Sequence, residues 1–293
     1  PSNAQSKGGG RLVNYSLTGA NADVITFDSE NYILNPDFVG FGIPPAQVRI
    51  DSSAGDGGVF RHSKKSVRDV DLAVTVLGTD RADVQTKLRR LSRLIQDTSG
   101  PTKINANYDG GETLFLQGHY VGGAESQWGQ SAGLIWNRWV LSFQCPKPFW
   151  QSDTEDSFVI DTTATGRGLL PQLTKLKLRS ASTFGVINVD NQGDVPAFPI
   201  WEITGPLNDI VISDGTNSFS FDTDVIAEEV ITINTEVGSV IDATGANRYS
   251  MLAAAPKLFR VPPGQTTITV LAVAGSLDAS VTFTYSPRFE VVH

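Results

Sequence analysis

Three histidines, one cysteine and a scatter of carboxylates are the residues that could carry chemistry in this 293-residue chain. His62, His119 and His293 stand far apart, none within an H-E-x-x-H and none beside a Cys-x-x-Cys, so no spacing here specifies a metal site. Cys145 is single, which excludes an intrachain disulfide, and with Phe143 and Phe149 nearby it reads as a small buried residue rather than a nucleophile. Asp153, Glu155 and Asp156 supply the two carboxylates that glycoside hydrolysis needs. They fall, however, in the polar run QSDTEDS, where solvated charge is the simpler reading. Asp222 with Asp224, and Glu228 with Glu229, flank strand candidates in the same way. No G-x-S-x-G elbow occurs, and the glycine runs Gly8–Gly10 and Asp56–Gly58 lack a following Gly-Lys-Ser/Thr, so phosphate cradling is not expected. The expectation is a chain without catalysis, cofactor or metal.

Composition points the same way. Gly 28 and Pro 15 with only 18% charged residues imply many turns joining short strands. A net charge of -8 argues against a nucleic-acid grip, which draws on clustered Lys and Arg. A negative wall would still let a polyanion pass without holding it. No window approaches the ~20 apolar residues of a membrane span, and PSNAQSKGGG lacks an apolar signal core, so a soluble protein with a flexible residue 1–10 segment is expected.

The positioning elements are mainly β. Period-two alternation places Val13, Tyr15 and Leu17 on one face, and Val70, Leu72, Val74 and Val76 on another. One helix is expected at about 80–98, capped by Thr79 or Asp80, striped by Val84, Leu88, Leu91 and Ile95, and stopped by Gly100-Pro101. Lys87, Arg89, Arg90 and Arg93 read as its solvated face. TKINANY, TLFLQGHYVGG and LIWNRWVLSFQC follow as strands, and CPKPFW breaks the last of them. These make an α+β domain over 11–150.

Beyond it, KLKL, GVINV, FPIWEI, DIVIS, SFSFD, EVITIN, KLFRV, TTITVLAV and ASVTFTY recur at the spacing of an antiparallel β-sandwich over 151–293. Ile210 and Ile212 should face Phe219 and Phe221 across the Asp214-Gly215 turn. In NQGDVPAFPIWEITGP, Pro196 and Pro199 cannot donate to a ladder, so the strand should lie at an edge or begin irregularly. Gly193 and Gly205 are expected at positive φ. Between Asn35 and Lys65 lies an arm with little periodicity apart from QVRI, carrying Phe38, Phe41, Ile43, Pro44, Pro45 and Phe60 with no regular element to bury them. These six are the candidate subunit contacts.

NQGDVPAFPIWEITGPLNDIVIS, EVITINTEVGSVIDATGANRY and KLFRVPPGQTTITV, in that order, resemble the carboxyl-terminal domain of the distal tail proteins of long-tailed, non-contractile bacteriophages (siphoviruses). The two-proline arm, Asp-Gly turn, strand and helix of GIPPAQVRI through LRRLSRLI resemble the same family's ring-forming domain, and PKPFW its interdomain joint. The resemblance implies a virion structural protein at the distal end of the tail: a hub of six copies in a ring, with the sandwiches projecting outward. It implies a homo-oligomer joining the tail tube protein to tail-associated host-contact or lysin proteins, around a lumen for the tape-measure protein and DNA in transit, without membrane insertion. A closed ring uses heterologous contacts, which removes open edges.

The family's sandwich is also similar to galectins and carbohydrate-binding modules, so an alternative is a carbohydrate-binding adhesion protein. Trp201 alternates in phase with Ile203, and Trp139 with Leu141 and Phe143, so both should point inward. Trp128, in a Gly- and Ser-rich loop, is the candidate for stacking on a sugar.

Overall fold

The structure, a computed structural model, describes residues 13–28, 30–96, 99–125, 133–161, 182–274 and 279–292. The chain forms two compact units, one running to Thr154 and including Phe289–His293, the other Glu155–Arg288.

The first unit comprises β1 (Val13–Thr18), β2 (Val24–Thr26), β3 (Tyr32–Leu34), β4 (Ala46–Ser52), β5 (Gly58–Lys65), β6 (Arg68–Leu77), α1 (Arg81–Ile95), β7 (Thr102–Tyr108), β8 (Thr113–Gly122), β9 (Trp136–Cys145) and β10 (Trp150–Ser152). Its main sheet runs β2-β1-β7-β8-β9-β6-β3, with β10 paired to β8. The longest pairing joins β6 to β9 from Arg68↔Cys145 to Leu77↔Trp136. Strict alternation in β6 sets which side is dry: Val70, Leu72, Val74 and Val76 are all fully buried. α1 covers that side with Val84, Leu91, Leu94 and Ile95, and burying each such side chain stabilises the unit by roughly 1.5–3 kcal/mol. Leu88 of the expected stripe is only partly buried, and Leu94 takes the fuller contact.

The start of α1 is a reciprocal cap. Asp80 Oδ1 accepts from the Asp83 N–H at 2.8 Å, and Asp83 Oδ2 accepts from the Thr79 N–H at 2.9 Å, which satisfies amides the helix itself leaves free. The helix closes at Ile95, earlier than the Gly100-Pro101 stop suggested.

The second unit comprises β11 (Asp156–Asp161), β12 (Ser182–Asn191), β13 (Ile200–Thr204), β14 (Leu207–Ser213), β15 (Ser218–Ser220), β16 (Val230–Asn234), β17 (Ser239–Asp242), β18 (Gly264–Ala274) and β19 (Ser280–Tyr285). Two antiparallel sheets, β11-β19-β13-β16-β17 and β12-β18-β14-β15, share one core. Trp201 lies at its centre, with ring centroids 4.6 Å from Phe283, 6.0 Å from Phe219 and 6.1 Å from Phe259. Ile212 pairs with Phe219 across the expected hairpin, and the Phe221 N–H donates to the Ile210 carbonyl.

Several expectations need correcting. FPIWEI is not an edge strand: β13 is central, and the two prolines lie just before it, so only the irregular start holds. Gly193 and Gly205 are not at positive φ. A Cβ on Gly193 would collide with the Arg288 backbone, and one on Gly205 with the Ile226 carbonyl, so close backbone approach is what requires glycine there. KLFRV forms no strand; it contributes the bridge Ala197↔Val261, the Lys257 N–H bond to the Ser218 carbonyl and the buried ring of Phe259. QSDTEDS is not all linker, since it spans the end of β10 and the start of β11. KLKL lies outside the described residues.

Candidate functional site

The arm read as irregular folds into a hairpin. β4 and β5 pair with each other and with no other strand, from Ala46↔Lys65 to Ser52↔Gly58. Ser53–Gly57 closes the turn, with Gly57 at φ +91, a left-handed geometry in which glycine carries no Cβ penalty. A register shift after Arg49 brings Phe60 opposite Ile50, so the bulge aims Phe60 onto the face that Val48 and Ile50 already share. Val48, Ile50 and Phe60 are 55%, 61% and 61% exposed. The charged residues Arg49, Asp51 and Arg61 are joined by Nε to carboxylate contacts of 3.5 Å and 2.7 Å to Asp51. Exposed pairs of this kind add about 0–1 kcal/mol, enough to order the ribbon but not to cover its apolar residues.

The root of the hairpin, by contrast, is fixed. Phe41 is buried and packs edge-on against Tyr15 at 5.0 Å and Trp150 at 5.2 Å. Arg68, 1% exposed, donates from Nε to the Pro148 carbonyl at 2.6 Å, from Nη1 to the Gly40 carbonyl at 2.8 Å, and from Nη2 to the Glu290 carbonyl at 2.7 Å. One guanidinium thus ties the hairpin root, the PKPFW segment and the returning chain end together. Burial lowers its pKa to about 10, so it stays charged at neutral pH. Gly40, at φ +95, has no room for a Cβ against the Asp69 carbonyl. No sequence motif marks Arg68; a basic residue opening an apolar alternating strand is the only signal it leaves.

The six candidate contact residues therefore divide. Phe41 and Pro44 are buried in their own unit and Phe38 is half-buried against Tyr15 and Phe41, so these three build the root. Ile43, Pro45 and Phe60 are exposed, and Val48, Ile50 and Val59 join them. The sequence hides those three because QVRI is too short to show a face without its partner strand, and the alternation of GVFRHSKK is masked by the bulge.

Residues with chemical potential are not gathered. His62 lies exposed on the hairpin, and His119 lines a shallow depression with Gln96, Thr102 and Tyr120, and among its described lining residues there is no carboxylate. His293 and Trp128 lie outside the described residues. Burial pushes the Cys145 thiol up to about 12, which leaves almost no thiolate at neutral pH. Asp153 and Glu155 are exposed, and among the described residues no three His, Cys, Asp or Glu side chains cluster as metal ligands. No described helix is long and apolar enough to cross a membrane. The other tryptophans are Trp150 and Trp201, both fully buried, Trp139, packed on the core, and Trp136, 37% exposed in the first unit.

The punctuated stretch before β13 is an anchor. Asn191, 2% exposed, donates from Nδ2 to the Val261 carbonyl at 3.0 Å and accepts the Gly193 N–H on Oδ1 at 3.0 Å. Arg288 donates to the Pro196 carbonyl and stacks 4.4 Å over Phe198, whose ring also carries Arg260 at 4.6 Å. These contacts fix where the strand enters the sandwich.

Charge is uneven. Of 31 acidic and 23 basic residues, Glu155–Arg288 holds 15 and 8, and the rest of the chain 16 and 15. The acidic excess thus belongs almost entirely to the second unit, which removes it as an argument for a negative wall in the first.

Comparison with known proteins adds the following. Residues 192–289 match the family described as siphovirus-type tail component, C-terminal domain (SPP1_Dit). No curated protein sequence matches the chain. Among solved structures, the Dit protein (gp 19.1) of phage SPP1, described as a paradigm of the hub adsorption apparatus in phages infecting Gram-positive bacteria, is similar at TM-score 0.63 and 14% identity, over 94% of this chain and 99% of that one. A chain of the phage P2 baseplate in its activated conformation with calcium is similar at TM-score 0.53 and 10% identity, over 96% and 100%. The strontium form of that baseplate gives 0.52 and 10% over the same shares.

Proposed function

We propose that this chain, whose residues 192–289 carry the siphovirus tail-component domain, is a distal tail protein: a structural hub at the tip of a phage tail that performs no reaction. The observation that carries the reading is likeness along nearly the whole chain, in both units, to a protein described as an adsorption hub. In this reading several copies, six by the family resemblance, close into a ring through the first unit. The ring joins the tail tube protein to host-contact proteins and leaves a lumen for the tape-measure protein and DNA. The exposed apolar face of the β4–β5 hairpin supports a contact between copies, because a ribbon whose apolar residues stay more than half exposed gains from a neighbour's surface. A ring needs this contact to be heterologous, one copy's hairpin meeting a different face of the next.

The test is to shorten the hairpin within 47–63, leaving the root intact, and to measure particle mass by light scattering with electron micrographs alongside. A cut beginning at Gly40 would remove the Arg68 contact and Phe41 and so confuse folding with assembly. The expected result is a folded, unassembled protein; rings formed by the shortened chain would refute the assignment. The single tryptophan of the sandwich, Trp201, is buried and offers no face to a sugar.

A further inference from the structure

The short segment that follows the sandwich lies across both legs of the hairpin root. On the entering leg the Val292 N–H donates to the Phe41 carbonyl at 3.5 Å. On the leaving leg Glu290 Oε1 pairs with Lys65 Nζ at 3.0 Å, and the Glu290 carbonyl accepts from Arg68 Nη2 at 2.7 Å. Val292 is buried in the same core as Phe41 and Trp150, and Phe289 packs against that core. We propose that Phe289–Val292 is a strap coupling the second unit to the hairpin: it holds the root closed at rest and loosens it when the second unit is displaced. The coupling belongs to a single copy and does not depend on a ring.

Coupling needs a connection without slack, and the chain provides one. Arg288, the last residue of the second unit, is held inside that unit. Its carbonyl accepts from the Asp194 N–H at 2.8 Å, and its Nε donates to the Pro196 carbonyl at 3.1 Å. The next residue, Phe289, already belongs to the first unit. The two grips are thus one peptide apart, about 3.8 Å between Cα atoms, so a shift of one draws on the other. A segment with two arrangements, on the root or off it, and biased from both ends, transmits in both directions.

The hairpin is the part that responds. Among the described strands β4 and β5 pair only with each other, so the contacts at the root set the direction of the ribbon. Its legs are joined at the base by the Ser66 N–H to the Pro45 carbonyl at 2.9 Å and by the pairing Ala46↔Lys65. Drawing off the strap takes the carboxylate from Lys65 and one of three acceptors from Arg68, the two residues that fix the leaving leg.

Amide exchange on the full chain tests this as a cycle. One change is Lys65→Ala with Val292→Ala, which weakens the grip of the strap; the other is a six-residue Gly-Ser insertion between Arg288 and Phe289, which adds about 13 Å of slack. In the uninterrupted chain the substitutions should speed exchange at Ser66 at least about tenfold and at Asp194 at least about threefold, with Phe143 of β9 unchanged. In the chain carrying the insertion they should still speed Ser66 and no longer change Asp194. Lys65→Ala alone, on a side chain 31% exposed, should give the same pattern at smaller size, which separates the strap from a general loosening of the core. An unchanged Ser66 rate would show that the segment does not hold the root. An Asp194 rate that never responds, or that responds equally with the insertion present, would overturn the coupling.

Discussion

In the second unit apolar side chains meet one another across two sheets, whereas in the first a set of them is held out into water on a rigid root. Trp201, Phe219, Phe259 and Phe283 close the sandwich on itself. Val48, Ile50 and Phe60, on a ribbon held by backbone pairing and exposed ion pairs, stay more than half exposed. Charge follows the same division, with the acidic excess on the sandwich and near balance on the first unit. A net negative surface keeps copies apart, while a neutral one with an apolar ribbon lets them meet. The comparison teaches that one unit keeps its apolar side chains for its own core while the other leaves some of them exposed.

The largest expected effect comes from emptying the closed core. Trp201→Ala should destabilise the second unit by about 3–5 kcal/mol and leave the first unit's protection unchanged, as followed by hydrogen exchange. Equal loss in both units would break the idea of two separate cores. Next comes Arg68→Met, which leaves three part-buried carbonyls without their donor and should cost the first unit about 3 kcal/mol, with faster exchange at Gly40 and around Phe41. If only the second unit loosened, the assignment of Arg68 to the hairpin root would be wrong.

Smaller and pH-dependent is the turn after β17. The Thr244 hydroxyl, the Ala246 N–H and Arg248 hold the Asp242 carboxyl at about 2. Because the folded value lies below the ordinary 3.8, the turn's contribution is complete above about pH 4 and disappears as pH falls through about 2. Asp242→Asn should flatten that part of the acid-stability curve, measured by denaturant midpoint from pH 5 to 2; an unchanged curve would remove Asp242 from the account.

The sequence made the regular parts legible and the cross-chain parts not. Alternation in DVDLAVTV and the stripe of α1 record which side is buried, because each residue's environment depends on its own strand or helix. The sandwich was legible for the same reason, from evenly spaced strands and the Asp214-Gly215 turn. The hairpin was not, since a bulge breaks the period of β5 and both faces meet solvent. Arg68 was invisible because its partners, Gly40, Pro148 and Glu290, lie far off in sequence. Gly193 and Gly205 misled because turn glycines and close-approach glycines look alike until the opposing backbone is placed.

The central claim is that the exposed hairpin face meets another copy. Its most direct test replaces Phe60 with a photo-crosslinking phenylalanine in assembled particles and maps the product by mass spectrometry. The account expects crosslinks between two copies, landing on the first unit of the second. Crosslinks confined to a single chain, in particles of full size, would contradict it.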